Sequence, residues 1–389
     1  MISFDEAAFL VAAAATPLGR ERVPLAEAKG RVLAAPVVAA VDAPPADVSA
    51  MDGYAVRDAD LPGRLRVAGE SFPGRPCEAP LAPGRCVRIF TGAPVPEGAD
   101  RVVIQEEVQR EDGTAVFGAP GPARHIRKSG SDFARGTVLL EAGRLLDPRA
   151  LVAAAGADQA EVETWRRPLL AIIGTGDELV EPGDAAETPG AIPESVSLGI
   201  AAFAEIWGAE IVARKRLPDA LPLLEREAAE ALQLADLVVV TGGASVGEHD
   251  HAKAMFAPWG LDLIFSKVAI KPGKPVWLGR AGGRLVMGLP GNPNSALVTA
   301  RLLLAPLIHG LTGRPPALLW RQAKLAEDLP ATGNRETFTR AAAAGEAVRP
   351  LVNQDSGALS TLAAADLLIR RAAGAPAAAA GARVDIIDF

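Results

Sequence analysis

Three glycine-rich turns, each following an apolar run, crowd into residues 236–295: DLVVVTGGASVGEHD, VAIKPGKP and LVMGLPGNPNS. A strand that ends in glycines leaves bare backbone N–H groups at its carboxyl edge. With lysines and carboxylates nearby, such an edge holds an oxyanion and a metal together. This restricts the region to an α/β sheet with a ligand-binding edge. The flanking pattern agrees: from 167 to 316, strand-like LLAIIGTGDEL, EIVARKRL and DLVVVTGG alternate with helix-like SLGIAAFAEIWG, ALPLLEREAAEALQLA and SALVTARLLLAPLIHG. Alternation of this kind implies a parallel or mixed sheet with helices on both faces.

Elsewhere the texture differs. Residues 3–15 read as a helix with Ser3 as its N-cap and Glu6 completing a capping box. PLGRERVPLAEAKGRVLAAPVVA reads as a helix framed by short extended pieces. Residues 42–137 carry short β-branched runs, RLRVAG, RCVRIF and RVVIQEEV, between proline and glycine turns, the mark of a β-rich insertion. Residues 317–389 again show short strands, ending in VDIIDF, and form a small β domain. At 389 residues the chain exceeds the size at which one core keeps growing, so a multidomain α/β plus β protein is expected.

Composition excludes several function classes. The net charge of −7 opposes general binding to nucleic acid or anionic lipid. No run approaches the roughly 18 uncharged apolar residues of a spanning helix, and the amino terminus lacks the positive region of a secretory signal. A cytoplasmic protein is expected. Cys77 and Cys86 make neither a disulfide framework nor a zinc site. His249 and His251 lack a third metal partner, and His125 and His309 have no constellation.

Lysine is scarce, yet Lys253, Lys267, Lys271 and Lys274 fall close together. A solvated face is the competing reading. The prolines of AIKPGKP decide for an oxyanion, because they present Lys271 and Lys274 from a constrained turn after a strand as two point charges. GTGDEL places Asp177 and Glu178 at a strand end but fails as a dinucleotide fingerprint, since Leu179 stands where the third glycine belongs. In TGGASVGEHD, Gly242 and Gly243 permit close backbone approach, Thr241 and Ser245 offer hydroxyls, and Glu248 with Asp250 supply hard oxygens suited to magnesium. In GLPGNPNS, Pro290 and Pro293 stiffen the turn, Gly291 and Asn292 expose backbone, and Asn294 or Ser295 caps a helix starting near Ala296. The insertion adds SAMDGYAV with Asp52, FTGAPVPEGAD with Thr91, and IRKSGSDFARG with Asp132.

These motifs, in this order, resemble the molybdenum insertase family, molybdopterin molybdenumtransferase, which includes the E domain of gephyrin. NRETFTR and NQDSGALSTLAAADLLI extend the resemblance to nearly the whole chain. It implies an elongated homodimer of four-domain subunits. The segments are then an N-terminal helix, 1–18, packing with the α/β domain; a linking domain, 19–41 with 138–166; a β-rich inserted domain, 42–137; the α/β molybdopterin-binding domain, 167–316; and a C-terminal β domain, 317–389. The implied reaction is magnesium-dependent insertion of molybdate into adenylylated molybdopterin, releasing AMP. A partner adenylyltransferase would supply that substrate.

Carried over by position, the catalytic residues are Asp52, Thr91, Asp132, Glu178, Asp219 and Asp250, with Glu178 and Asp250 as magnesium ligands. The molybdate residues are Lys271, Lys274, Ser295, Arg340 and Ser356 or Ser360. The nucleotide and pterin contacts are Gly242, Gly243, Ser245, Pro290, Gly291, Asn292 and Pro293. One departure stands out: where the family opens its helix after GTGDEL with Asp-Ser/Thr-Asn, this chain has Glu194, Ser195 and Val196, and Val196 cannot replace an amide. The alternative reading is a divergent paralogue that binds molybdopterin or nucleotide without turnover.

Overall fold

The computed structural model describes residues 1–242 and 251–389. The chain divides into two compact units, one of residues 22–29 with 33–163, the other of residues 1–21, 30–32 and 164–389.

The first unit is built on a six-stranded sheet of β1 (Gly53–Val56), β2 (Gly63–Ser71), β3 (Arg85–Ile89), β4 (Arg101–Ile104), β5 (Val108–Glu111) and β6 (Thr114–Phe117), in the order β4-β1-β3-β2-β6-β5. Alternation buries both faces: Tyr54, Val56, Cys86 and Val103 pack on one side, Ala55, Val87, Ile89 and Val102 on the other. Burial pushes the Cys86 thiol up to about 11, so it stays protonated and acts as an apolar core residue. Gly53 is required where β1 runs between two neighbours, since a Cβ there would lie 2.0 Å from the Val103 carbonyl oxygen. The helix expected after residue 16 is reduced to the single 3-10 turn Leu25–Glu27, following the strand Arg20–Pro24. Charged, exposed positions on that strand leave no apolar helical face to bury.

In the second unit, β7 (Leu169–Thr175), β8 (Glu210–Leu217), β9 (Leu237–Thr241), β10 (Asp262–Phe265), β11 (Trp277–Ala281) and β12 (Arg284–Leu289) form a mixed sheet of order β8-β7-β9-β12-β11-β10. The first four strands run parallel, and β11 and β10 complete an antiparallel edge. Leu170, Ile172, Leu237 and Val239 face the helices Val196–Ile206 and Pro293–Thr299, whereas Ala171, Ile173, Val238 and Val240 face the helix Leu221–Leu234. The strand order reverses between β7 and β9, which opens a crevice at their carboxyl ends. The N-terminal helix Phe4–Ala14 starts as read, its Ser3 hydroxyl accepting the Glu6 N–H at 3.1 Å.

A closed five-stranded barrel follows: β13 (Arg321–Leu325), β14 (Glu336–Ala344), β15 (Ala347–Pro350), β16 (Leu367–Arg371) and β17 (Arg383–Asp388). It pairs in the cycle β14-β15-β13-β17-β16 and back to β14. The turn carrying the lysines departs from expectation here. Its strand is only Ile270–Lys271, and it pairs with Glu336–Thr337 of the barrel instead of ending a strand of the α/β sheet.

The helical run Pro293–Leu311 is long and apolar enough to cross a membrane by length and composition, but 83% of its apolar window is buried inside the protein. It is a core element. On it sits His309, whose Nε2 is buried without a hydrogen-bond partner among the described residues. Burial, reinforced by Arg314 and Arg301, pushes the imidazole down to about 4 from 6.5. The folded protein therefore favours neutral His309 while the unfolded chain takes up a proton below pH 6.5, so stability is lost as pH falls from 6.5 towards 4. The loss is expected to reach up to about 3 kcal/mol. Urea midpoints for His309→Leu should show a flatter acid limb than the parent; parallel limbs would refute the assignment.

Candidate active site

The crevice at the switch point is a hollow of about 450 Å³. Its walls include Glu178, Asp219, Gly242, Pro290, Gly291, Asn292 and Pro293, all singled out by the sequence reading. Backbone contact brings the turns together. Gly242 has φ +92, and a Cβ on it would lie 2.3 Å from the Thr175 carbonyl oxygen, so only glycine fits. Gly291 is packed against Gly242 in turn: a Cβ there would sit 3.2 Å from the Gly242 Cα.

Acidic groups gather at the ends of β7 and β8. The Asp219 N–H donates to Asp177 Oδ1 at 2.9 Å, and Asp219 Oδ1 is buried with no partner among the described residues. Burial, then the adjacent Asp177 charge, holds the Asp219 carboxyl above the usual carboxylate range. The Thr175 hydroxyl faces the same carboxyl and only moderates the rise; its Oγ1 has no well-formed hydrogen bond. Asp250, Gly243, Ser245 and Glu248 lie outside the described residues, so the expected Glu178–Asp250 metal pair does too.

Glu194, Ser195 and Val196 form another part of the wall. Glu194 is 2% exposed. Its Oε1 accepts the Ser197 N–H at 2.8 Å, its Oε2 accepts the Ser197 hydroxyl, and Arg214 Nη1 approaches Oε2 at 3.5 Å. The carboxylate thus caps the helix Val196–Ile206 from one residue before its N-cap, and Val196 packs into the core.

A second hollow, about 850 Å³, adjoins the first, for Pro275 lines both. Lys271, Lys274, Ser295 and Ser356 are on its wall, whereas Ser360 falls in the short helix Leu359–Ala363 away from it. Both lysines are exposed, and among the described residues neither has a carboxylate partner. The acids on the wall are engaged elsewhere: Glu327 with Arg349 at 3.0 Å, Asp328 with the Ala380 N–H at 2.8 Å, and Asp355 with the Gly357 N–H at 2.8 Å. Lys271, Lys274, Arg335 and Arg371 line the cavity against the three carboxylates Glu327, Asp328 and Asp355, so its wall is net positive.

Arg340 is fully buried and is not on that wall. Its Nη2 donates to the Asp355 carbonyl at 3.2 Å, and Nε and Nη1 have no partner among the described residues. Helix capping by Asn294 or Ser295 does not occur. The helix begins at Pro293 with Asn292 as N-cap and no side-chain cap bond. Asn294 instead donates from Nδ2 to the carbonyls of Asp355, Ser356 and Ala358, and Asn292 Nδ2 reaches Ser356 Oγ at 3.1 Å. Those amides bind the NQDSG loop to the GNPN turn. The sequence reading missed this role, and a buried amide inside a turn motif was its only signal.

In the first unit, Asp52 and Thr91 come together. Asp52 Oδ1 accepts both the Thr91 N–H, at 2.7 Å, and the Thr91 hydroxyl, at 2.8 Å, and these bonds hold its carboxyl below the usual range. Asp132 is exposed, its N–H donating to the Ala43 carbonyl; no hydrogen bond joins it to that pair among the described residues.

Comparison with known proteins agrees with this architecture. Residues 2–157 match the family described as MoeA N-terminal region (domain I and II), 171–310 a probable molybdopterin binding domain, and 322–389 the MoeA C-terminal region (domain IV). The molybdopterin molybdenumtransferase of Haemophilus influenzae is 41% identical over 302 residues, 77% of this chain and 74% of the relative. That of Staphylococcus aureus is 31% identical over 380 residues, covering 94% and 90%. The molybdopterin biosynthesis moeA protein of Pyrococcus horikoshii OT3 superposes with a TM-score of 0.85 at 27% identity, covering 100% of both chains. Strand-end crevice, barrel and ordered motifs together place this chain in the molybdopterin molybdenumtransferase family, as a transferase of molybdenum cofactor biosynthesis.

Proposed function

We propose that this transferase inserts molybdate into adenylylated molybdopterin and releases AMP. The observation that carries the reading is Lys271 and Lys274, without a carboxylate partner among the described residues, on a cavity adjoining the glycine-lined crevice. Two ammonium groups on a stiffened turn suit a tetrahedral oxyanion. The bare backbone of Gly242 and Gly291 suits close approach of a pterin-linked phosphate.

Magnesium fits the crevice. Asp219 Oδ1 is buried without a partner among the described residues, and Glu178 lines the same hollow, giving hard oxygens of the kind the ion takes alongside phosphate oxygens and water. Glu178 and Asp219 would hold it, with Asp250 as the proposed further ligand. Bound there, the ion would neutralise phosphate charge. The same carboxylates orient water at the adenylate phosphorus, and Lys271 and Lys274 hold molybdate with Ser295 and Ser356. Arg340 acts from behind by fixing the Asp355 carbonyl. Asp52, Thr91 and Asp132 are proposed as further catalytic residues. A homodimer is the working assembly, and an adenylyltransferase supplies the substrate.

Purified protein given adenylylated molybdopterin, magnesium and molybdate should release AMP and yield active cofactor. Binding without AMP would favour a non-catalytic paralogue, the reading that the self-capped Glu194 and apolar Val196 would then support. Lys271→Ala with Lys274→Ala should weaken molybdate binding by roughly 10- to 100-fold with an unchanged melting temperature, the two exposed, solvent-screened ammonium groups together contributing about 1.5–3 kcal/mol. An unaltered molybdate titration would defeat the assignment.

Asp219 supplies a test of a different kind. Its raised carboxyl means that the folded state favours the protonated form, so ionised Asp219 lowers stability once pH exceeds 3.8. The proposed role of Asp219 in the crevice would offset that cost. Asp219→Asn should therefore abolish AMP release while raising the melting temperature at pH 7, with the gain vanishing below pH 3.8. A fall in melting temperature at neutral pH would contradict this account.

A further inference from the structure

We propose that Arg88 is a positioning residue for the Asp52–Thr91 pair, clamping the two loops that carry them. This rests on the reading that Asp52 takes part in the reaction. Arg88 and Tyr54 are cross-strand partners on β3 and β1. The Arg88 guanidinium lies 5.0 Å from the centroid of Tyr54 and 5.0 Å from that of Phe90. Its Nη1 donates to the Gly53 carbonyl at 3.2 Å, and its Nη2 donates to Gln105 Oε1.

Each contact lands next to the functional pair. Gly53 follows Asp52 directly, and Phe90 directly precedes Thr91. Gln105 closes the circuit, for its backbone N–H donates to the Asp52 carbonyl at 3.1 Å. Phe90 also stacks on Phe72 at 4.4 Å, which Arg75 covers at 4.7 Å. A planar fork fixed by two rings and two acceptors has little freedom left, so it transmits rigidity to both loops. Asp52 Oδ1 is thereby offered to Thr91 in one geometry. Lysine could supply the charge at position 88 but neither the fork nor the stacking.

The test measures AMP release and melting temperature for Arg88→Met, Arg88→Lys, Asp52→Asn and the double variant Arg88→Met/Asp52→Asn. Arg88→Met is expected to lower kcat by roughly 10- to 100-fold, the scale of a misplaced reacting group, while the KM for molybdate stays within about twofold. Arg88→Lys should recover only part of the loss. The double variant should be no slower than Asp52→Asn, because clamp and carboxylate act as one unit. Parental kcat in Arg88→Met, full activity in Arg88→Lys, or losses that multiply in the double variant would each overturn the proposal. Parental kcat in Asp52→Asn would instead remove the underlying role of Asp52. Should Arg88→Met fail to fold, Gln105→Leu takes its place: it removes one acceptor of the fork and leaves the backbone bond to Asp52. A kcat lowered by about threefold is then expected, and an unchanged kcat overturns the proposal.

Discussion

The contact on which the site depends is one of backbone against backbone. At the end of β9, Gly242 closes so tightly on the Thr175 carbonyl that no side chain can stand between them, and Gly291 packs behind it. Three turns, after β7, β9 and β12, are thus brought to a single crevice. The sheet supplies the rigidity: β7 and β9 are buried on both faces, so their ends have fixed positions.

Charge is partitioned across this frame. Carboxylates collect at the strand ends, where Asp219 is held with a raised carboxyl beside Asp177 and Glu178. Ammonium groups collect on the neighbouring wall, where the acids are already engaged with Arg349, Ala380 and Gly357. A metal-assisted phosphate reaction needs the first set, and oxyanion capture needs the second. Keeping them on separate, adjoining walls prevents them from neutralising one another. Glu194 belongs to neither set, since its charge is absorbed by Ser197 and Arg214.

Most of the α/β layout was legible in the sequence because it is local. Periodicity reveals the helix Leu221–Leu234 and the buried strands, and Ser3 marks where the first helix begins. What escaped is long-range. VAIKPGKP looks like a strand end of the main sheet, yet Ile270–Lys271 pairs with barrel residues 336–337, a choice that no nearby residue signals. Asn294 reads as a helix cap and proves to be a tie to residues 355–358, because its partners lie some sixty positions away. Leu25–Glu27 looked helical by composition, but the flanking strand has no apolar face to support a helix. Arg88 was invisible for a similar reason: RCVRIF reads as plain alternation, and although Phe90 belongs to that motif, the other ring, Tyr54, and both acceptors, Gly53 and Gln105, come from other strands and turns.

The claim that these walls form a site for a metal oxyanion is tested most directly by locating molybdenum itself. Crystals soaked in molybdate, measured at the molybdenum absorption edge, should give one anomalous peak in contact with the Nζ atoms of Lys271 and Lys274. A peak confined to other surfaces, with those two ammonium groups left untouched, would contradict the account.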